Sequence, residues 1–82
     1  MKLPVIRQIQ RTTTPEEIES TIKVLESISE SPSIKPEELD VIGELISNLC
    51  GALEVHQMIA DGMPEKDAVN TFMKKVMGSI DR

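Results

Sequence analysis

The segment from Pro36 to Ala60 constrains the fold of this chain more than any other, because it predicts one long helix that is apolar over roughly half of its circumference. A helix on a protein surface usually carries a narrower apolar stripe. The aliphatic side chains that cover this side of the predicted helix are Leu39, Val41, Ile42, Leu45, Ile46, Leu49, Ala52, Leu53 and Ile59. We therefore expect a central helix that contacts several neighbours.

Small residues follow the opposite side of the predicted central helix at a spacing of four: Gly43, Ser47 and Gly51. Acidic side chains, among them Asp40 and Glu44, lie between them. Glycine within a helix costs about 1 kcal/mol relative to alanine, so these glycines need an explanation. Either the N-terminal helix or a second subunit crosses closely here, or the glycines are simply tolerated on an exposed face.

Two further helices flank the central one in the sequence. Residues 14–17, Thr-Pro-Glu-Glu, have the pattern of a capping box and predict a helix from Pro15 to about Glu30. Gly62 is a favourable stop for the central helix, and Pro64 begins the last one. The last helix carries the apolar residues Ala68, Val69, Phe72, Met73, Val76, Met77 and Ile80.

The N-terminal segment is short, and its pattern leaves two structures open. Pro4 suits the first turn of a helix that runs to about Arg11, whereas a short strand is the alternative. The connections between the segments are short, which favours antiparallel neighbours. We predict an all-α fold, a small helical bundle of three main helices plus a short N-terminal helix, with residues 1–82 forming a single domain.

Composition limits the partners that such a bundle can have. The chain of 82 residues is 39% hydrophobic, and Phe72 is its one aromatic residue, so any interface has to be aliphatic. The net charge of -5 disfavours nucleic acid and anionic membranes. No apolar run approaches the ~20 residues that span a bilayer. A single cysteine and the lack of a secretory signal pattern predict a cytoplasmic protein.

The residues that most often perform catalysis do not form a recognisable set. His56 is the only histidine and Cys50 the only cysteine, and no zinc-binding HExxH pattern, nucleophile motif or glycine-rich phosphate loop is present. We interpret His56 as a core or interface histidine that is hydrogen-bonded to a neighbour, and Cys50 as a packing residue. Asp40 and Glu44 lie one turn apart and predict a solvated acidic face, since two carboxylates rarely suffice for a cation. We expect no cofactor and no enzymatic activity.

Three stretches of the sequence carry a resemblance to known proteins. Residues 38–48 (ELDVIGELISN), 51–56 (GALEVH) and 70–80 (NTFMKKVMGSI) resemble a family of small uncharacterised bacterial proteins. The resemblance covers the C-terminal half well and the first thirty or so residues loosely. It implies a bacterial cytoplasmic setting, and it supplies no activity and no catalytic residue.

These observations predict a protein that works by association. We expect a non-enzymatic protein-interaction or homodimerisation module, in which the central helix forms the core and part of the interface. A domain of this size buries only about 60% of its extended surface, so a dimer, or an unknown protein partner, would add stability. The predicted interface combines a coiled-coil-like seam with the two glycines: Leu39, Ile42, Ile46, Leu49, Leu53, Gly43 and Gly51. The alternative is a redox- or metal-linked accessory protein that uses Cys50, His56 or the acidic face.

Overall fold

The computed structural model describes residues 2–80, and the side chains of residues 2–77, as four helices without a strand. The all-α helical bundle is therefore confirmed, and the N-terminal segment is a helix. Ile80, predicted on the apolar side of the last helix, has a side chain outside the described residues. The helices are α1 (Leu3–Thr12), α2 (Pro15–Ser29), α3 (Pro36–Ala60) and α4 (Glu65–Ile80).

The ends of α2 and α3 follow from local chemistry. Thr14 accepts a hydrogen bond from the Glu17 backbone N–H at 3.2 Å, and Glu17 accepts one from the Thr14 N–H at 2.9 Å, which confirms the capping box. The Lys35 N–H donates to Glu38 in the same way at the start of α3. After α3, Gly62 adopts a φ of +106°, a conformation that favours glycine and ends the helix.

Every other helix packs against α3, and the core lies beside its C-terminal half. The buried residues of α3 are Asn48, Gly51, Ala52 and Val55, all within its last thirteen positions. The apolar side chains that complete the core come from the other three helices: Ile6, Ile18, Ala68, Val69 and Phe72. The predicted role of α3 as the central helix is confirmed.

The two glycines of α3 have opposite surroundings. A methyl group added at Gly51 would lie 2.9 Å from Ile6 Cδ1 and 3.0 Å from Phe72 Cζ, so side chains of α1 and α4 meet there against the α3 backbone. The close crossing expected at this position is therefore made by the chain's own N-terminal helix and by α4. At Gly43 an added methyl group meets nothing within 4 Å in the described part of the chain. The helix is continuous through both positions, as the sequence predicts.

An ion pair joins the end of α1 to the first turn of α4. Arg11 Nε donates to both carboxylate oxygens of Glu65, at 3.0 and 3.2 Å, and the terminal guanidinium nitrogen reinforces the pair. These hydrogen bonds from Arg11 lower the pKa of Glu65 below its ordinary value. Both side chains are partly exposed, so salt screens the attraction between them.

We predict opposite effects of alanine at the two glycines. Gly43→Ala should raise the free energy of unfolding by about 0.5 to 1 kcal/mol, because alanine favours the helix and meets open space. Gly51→Ala should lower it by about 1 kcal/mol net, since displacing buried Ile6 and Phe72 costs more than the helix propensity returns. Urea unfolding of the two variants beside the wild type measures both values. Equal effects at the two positions would contradict the packing at Gly51.

We predict that acidification weakens the link between α1 and α4. Because the folded pKa of Glu65 is depressed, the ion pair stabilises the fold above the ordinary value of 4.5 and is lost as the pH falls through the lower folded value. Stability measured from pH 7 downwards should therefore fall more steeply in the wild type than in Glu65→Gln. Asp67→Asn, which removes another carboxylate from the first turn of α4, is the control and should follow the wild type. Identical pH profiles for the wild type and Glu65→Gln would refute the link.

Candidate interaction surface

The N-terminal half of α3 keeps apolar side chains exposed, unlike its C-terminal half. Val41 is 55% exposed and Leu45 45% exposed, although both lie on the apolar side of the helix. On the neighbouring α2, Ile28 is 41% exposed. These aliphatic residues belong to a surface that no other helix of the described chain covers.

The place at which α1 packs along α3 explains why Val41 and Leu45 stay exposed. Asn48 Oδ1 accepts a hydrogen bond from the Lys2 backbone N–H at 2.8 Å, so α1 begins beside Asn48. Further along, Ile6 lies over Gly51, and the Thr13 carbonyl bonds to His56. Helix α1 therefore runs beside α3 from Asn48 onwards. The ten residues of α1 span only about 15 Å, whereas the twenty-five of α3 span about 38 Å.

Two adjoining depressions, with Val41 as the ridge between them, form what we call the open face. The groove, of about 460 Å³, lies between α2 and α3, and two carboxylates, Glu37 and Glu38, stand at its edge. The hollow, of about 240 Å³, lies between α1 and α3 and includes Lys2 and Glu44. The apolar lining of the open face consists of Leu25, Ile28, Ile34, Val41 and Ile42 in the groove, with Val5 and Leu45 in the hollow.

Part of the predicted seam packs inside the chain. Leu49 and Leu53 are half-buried and pack against the chain's own core. Ile42 and Ile46 are half-buried as well, and Ile42 also lines the groove. Leu39 is 40% exposed, but it points about 160° away from Val41 around the helix. Of the predicted seam, only Ile42 therefore lines the open face.

The two glycines also lie outside the open face. Gly43 is exposed and points about 160° away from Val41. Gly51 is buried beneath Ile6 and Phe72. In the folded chain Gly51 is thus a core position, and a second copy has no access to it.

His56 serves to hold two segments of the chain together. Its Nε2 lies 2.8 Å from the Thr13 carbonyl oxygen. Because a carbonyl oxygen only accepts, Nε2 carries the proton and donates it. The predicted hydrogen bond of His56 to a neighbour is confirmed, the side chain is half-buried, and the bond fixes the turn between α1 and α2.

The interpretation of Cys50 as a packing residue is wrong. Its side chain is exposed. Successive residues of a helix point about 100° apart, so Gly51 faces α1 and α4 while Cys50 is turned out of the core. At the edge of the apolar side of a helix, the sequence alone does not determine whether a side chain is buried.

Asn48 forms a hydrogen bond between helices that the sequence pattern does not predict. It is 4% exposed, and it is the buried polar residue of the core. Its side chain accepts a hydrogen bond from the Lys2 N–H at the N-terminal end of α1. Backbone N–H groups at the start of a helix have no partner within the helix, and Asn48 supplies one.

Metal-binding clusters and membrane-spanning helices are both absent from the described residues. They hold no group of three or more His, Cys, Asp or Glu side chains placed to bind a metal ion. The acidic residues Asp40 and Glu44 are both exposed, as expected for a solvated face. None of the helices in the described range is long and apolar enough to cross a membrane.

Comparison with known proteins gives a family but no activity. The model of the family described as "Family of unknown function (DUF6952)" matches residues 1–81. No curated protein and no solved structure matches the chain significantly. The match confirms the resemblance to an uncharacterised family, whereas the bacterial origin stays a prediction.

We predict that His56 matters for stability and that Cys50 does not. His56→Phe removes the hydrogen bond to the Thr13 carbonyl and should lower the free energy of unfolding by about 1 kcal/mol. Cys50→Ala changes an exposed residue of the same helix and should stay within about 0.5 kcal/mol of the wild type. Chemical denaturation of both variants makes the comparison. A larger loss for Cys50→Ala than for His56→Phe would reverse these roles.

Proposed function

This chain belongs to the DUF6952 family, whose function is unknown, and we propose that it is a non-enzymatic association module that forms a homodimer through its open face. The observation that carries the proposal is the pair of aliphatic depressions beside Val41. Aliphatic side chains that are exposed next to one another, unlike ones scattered singly over a surface, form the kind of patch that a partner can cover. Burying it would contribute about 25 cal/mol per Å².

The size of the exposed surface supports a partner as large as a second copy. The chain exposes 5798 Å², whereas a compact monomer of 9.1 kDa exposes about 4900 Å². The extra surface comes with an elongated shape, with extents of 42 × 32 × 18 Å, which leaves broad faces for a second copy to cover. The radius of gyration, 13.8 Å, likewise exceeds the value of about 12 Å for a compact domain of this length.

The surroundings of His56 and Cys50, the one histidine and the one cysteine of the chain, favour association over catalysis. His56 donates its Nε2 proton to a backbone carbonyl, and Cys50 points about 120° away from His56 around α3. A nucleophile and its base need to lie within hydrogen-bonding reach of each other. The proposal includes a cytoplasmic location, which the single cysteine supports.

The proposal predicts that a charge on the open face dissociates the dimer without unfolding the chain. Val41→Asp and Leu45→Asp place a carboxylate on side chains that are exposed in the single chain, so each variant should fold normally. In a dimer the same carboxylate would be buried without a partner, at a cost of several kcal/mol. We expect sedimentation equilibrium at high micromolar concentration to give a dimer mass for the wild type and 9.1 kDa for each variant.

Ser47→Asp is the matched control, because it adds the same charge to the same helix on an exposed position at least about 120° from Val41 and Leu45. It should remain dimeric. A monomeric wild type at high micromolar concentration would overturn the proposal. Stoichiometric metal binding or rapid modification of Cys50 coupled to an activity would favour the redox- or metal-linked alternative.

A further inference from the structure

We propose that the hollow binds a free aliphatic amino acid, a small zwitterion whose carboxylate lies between Asn48 and Lys2 and whose ammonium group faces Glu44. This inference goes beyond the proposed homodimer and does not depend on it. Three features of the hollow support it: an amide donor without a partner in its wall, two unpaired charges of opposite sign, and an aliphatic lining.

The amide nitrogen of Asn48 is a donor that lacks an acceptor in the described part of the chain. Asn48 lines the hollow, and its Oδ1 accepts from the Lys2 N–H. Because a backbone N–H only donates, the oxygen has to occupy that side of the amide, and the two N–H groups of Nδ2 point elsewhere and bond to no described residue. Among the fully buried side-chain polar atoms that are described, only Arg7 Nε and Gln10 Oε1 lack a partner, so Nδ2 keeps contact with solvent in the hollow. An acceptor on a ligand would satisfy it.

Two charges of opposite sign line the hollow without pairing. Lys2 lies on its α1 side and Glu44 on its α3 side, both are exposed, and neither forms an ion pair within the described residues. A ligand with a single charge is repelled by one of the two, whether it is a cation or an anion. A zwitterion satisfies both, because its carboxylate accepts from Lys2 and from the Asn48 amide while its ammonium donates to Glu44.

The spacing along α3 suits an ammonium and a carboxylate that share one carbon atom. The α3 residues of the hollow, Val41, Glu44, Leu45 and Asn48, lie within about 100° of one another around the helix. Glu44 and Asn48 are about 6 Å apart along the axis, a distance that an amino acid bridges with a hydrogen bond at each end. The backbone bond to Asn48 keeps Lys2 at the carboxylate end.

The rest of the lining selects a small, aliphatic ligand. Val5, Val41 and Leu45 are its apolar members. The one aromatic residue of the chain, Phe72, is buried in the core, so the hollow has no ring on which a nucleobase could stack. The volume of about 240 Å³ is small, since sites for drug-sized ligands enclose ~300 to 1,000 Å³. A branched aliphatic side chain therefore fits against Val41 and Leu45.

Titration with L-leucine tests the proposal. The Asn48 side-chain amide signals in nitrogen–proton NMR spectra should shift and saturate, with a Kd on the order of 1 mM for so small a ligand. The protein is diluted until sedimentation gives the single-chain mass of 9.1 kDa, so that no second copy covers the hollow. N-acetyl-leucine lacks the ammonium and leucinamide lacks the carboxylate, so each should bind roughly tenfold more weakly.

The exposed charges of the hollow provide variants that keep the fold. Glu44→Gln removes the partner of the ammonium and Lys2→Met that of the carboxylate, and each should raise the leucine Kd by roughly fivefold to tenfold. The Lys2 backbone bond to Asn48 is retained in both. Glu37→Gln, the same change at an exposed carboxylate of the groove, is the control. It lies about 10 Å from Glu44 along the axis, near the Debye length at 0.1 M salt, and should change the Kd less than about twofold.

The failure of this inference and that of the homodimer are distinguishable. The absence of a saturable shift of the Asn48 amide overturns the proposed ligand. Equal Kd values for leucine, N-acetyl-leucine and leucinamide overturn it too, and so does an unchanged Kd in Glu44→Gln and Lys2→Met. A protein that binds leucine but stays monomeric at high concentration overturns only the homodimer.

Discussion

The contact of Ile6 and Phe72 against the backbone of Gly51 is the constraint on which the rest of the structure depends. Both side chains are at most 1% exposed, and both approach the position that any side chain of α3 would occupy there. The core contains one aromatic residue, so its volume has to be filled by close approach of helices rather than by large side chains. The bond between His56 and Thr13 and the ion pair between Arg11 and Glu65 then fix the C-terminal end of α1, and Asn48 fixes its N-terminal end.

The same contact determines where the chain leaves its surface open. Because α1 is held over Gly51 and begins beside Asn48, it cannot cover the first three turns of α3. Helix α2 packs along the other side of α3, and a groove remains between the two helices. A 25-residue helix with three shorter neighbours has more apolar length than they cover, and Val41 and Leu45 stay exposed as a result.

The sequence predicts the helices well and their contacts poorly, for a physical reason. Periodicity gives the direction of a side chain around its own helix, and capping residues such as Thr14 mark where a helix begins, so α2 and α3 follow from local patterns. Burial depends on which neighbour lies opposite. Gly43 and Gly51 give the same signal in the sequence, yet only Gly51 is packed. For the same reason the sequence does not show that Cys50 is exposed and Asn48 buried, or that Val41 and Leu45 are the α3 residues which stay uncovered.

Aliphatic and charged residues contribute differently to binding at the open face. Aliphatic side chains such as Ile28, Val41 and Leu45 supply surface that is favourable to bury, but they carry little information about which way a partner should lie, because the hydrophobic effect is not directional. Charges contribute less to affinity and more to orientation. At such a face the aliphatic centre therefore determines affinity, and the carboxylates of Glu37 and Glu38 at its edge determine which charges a partner can present.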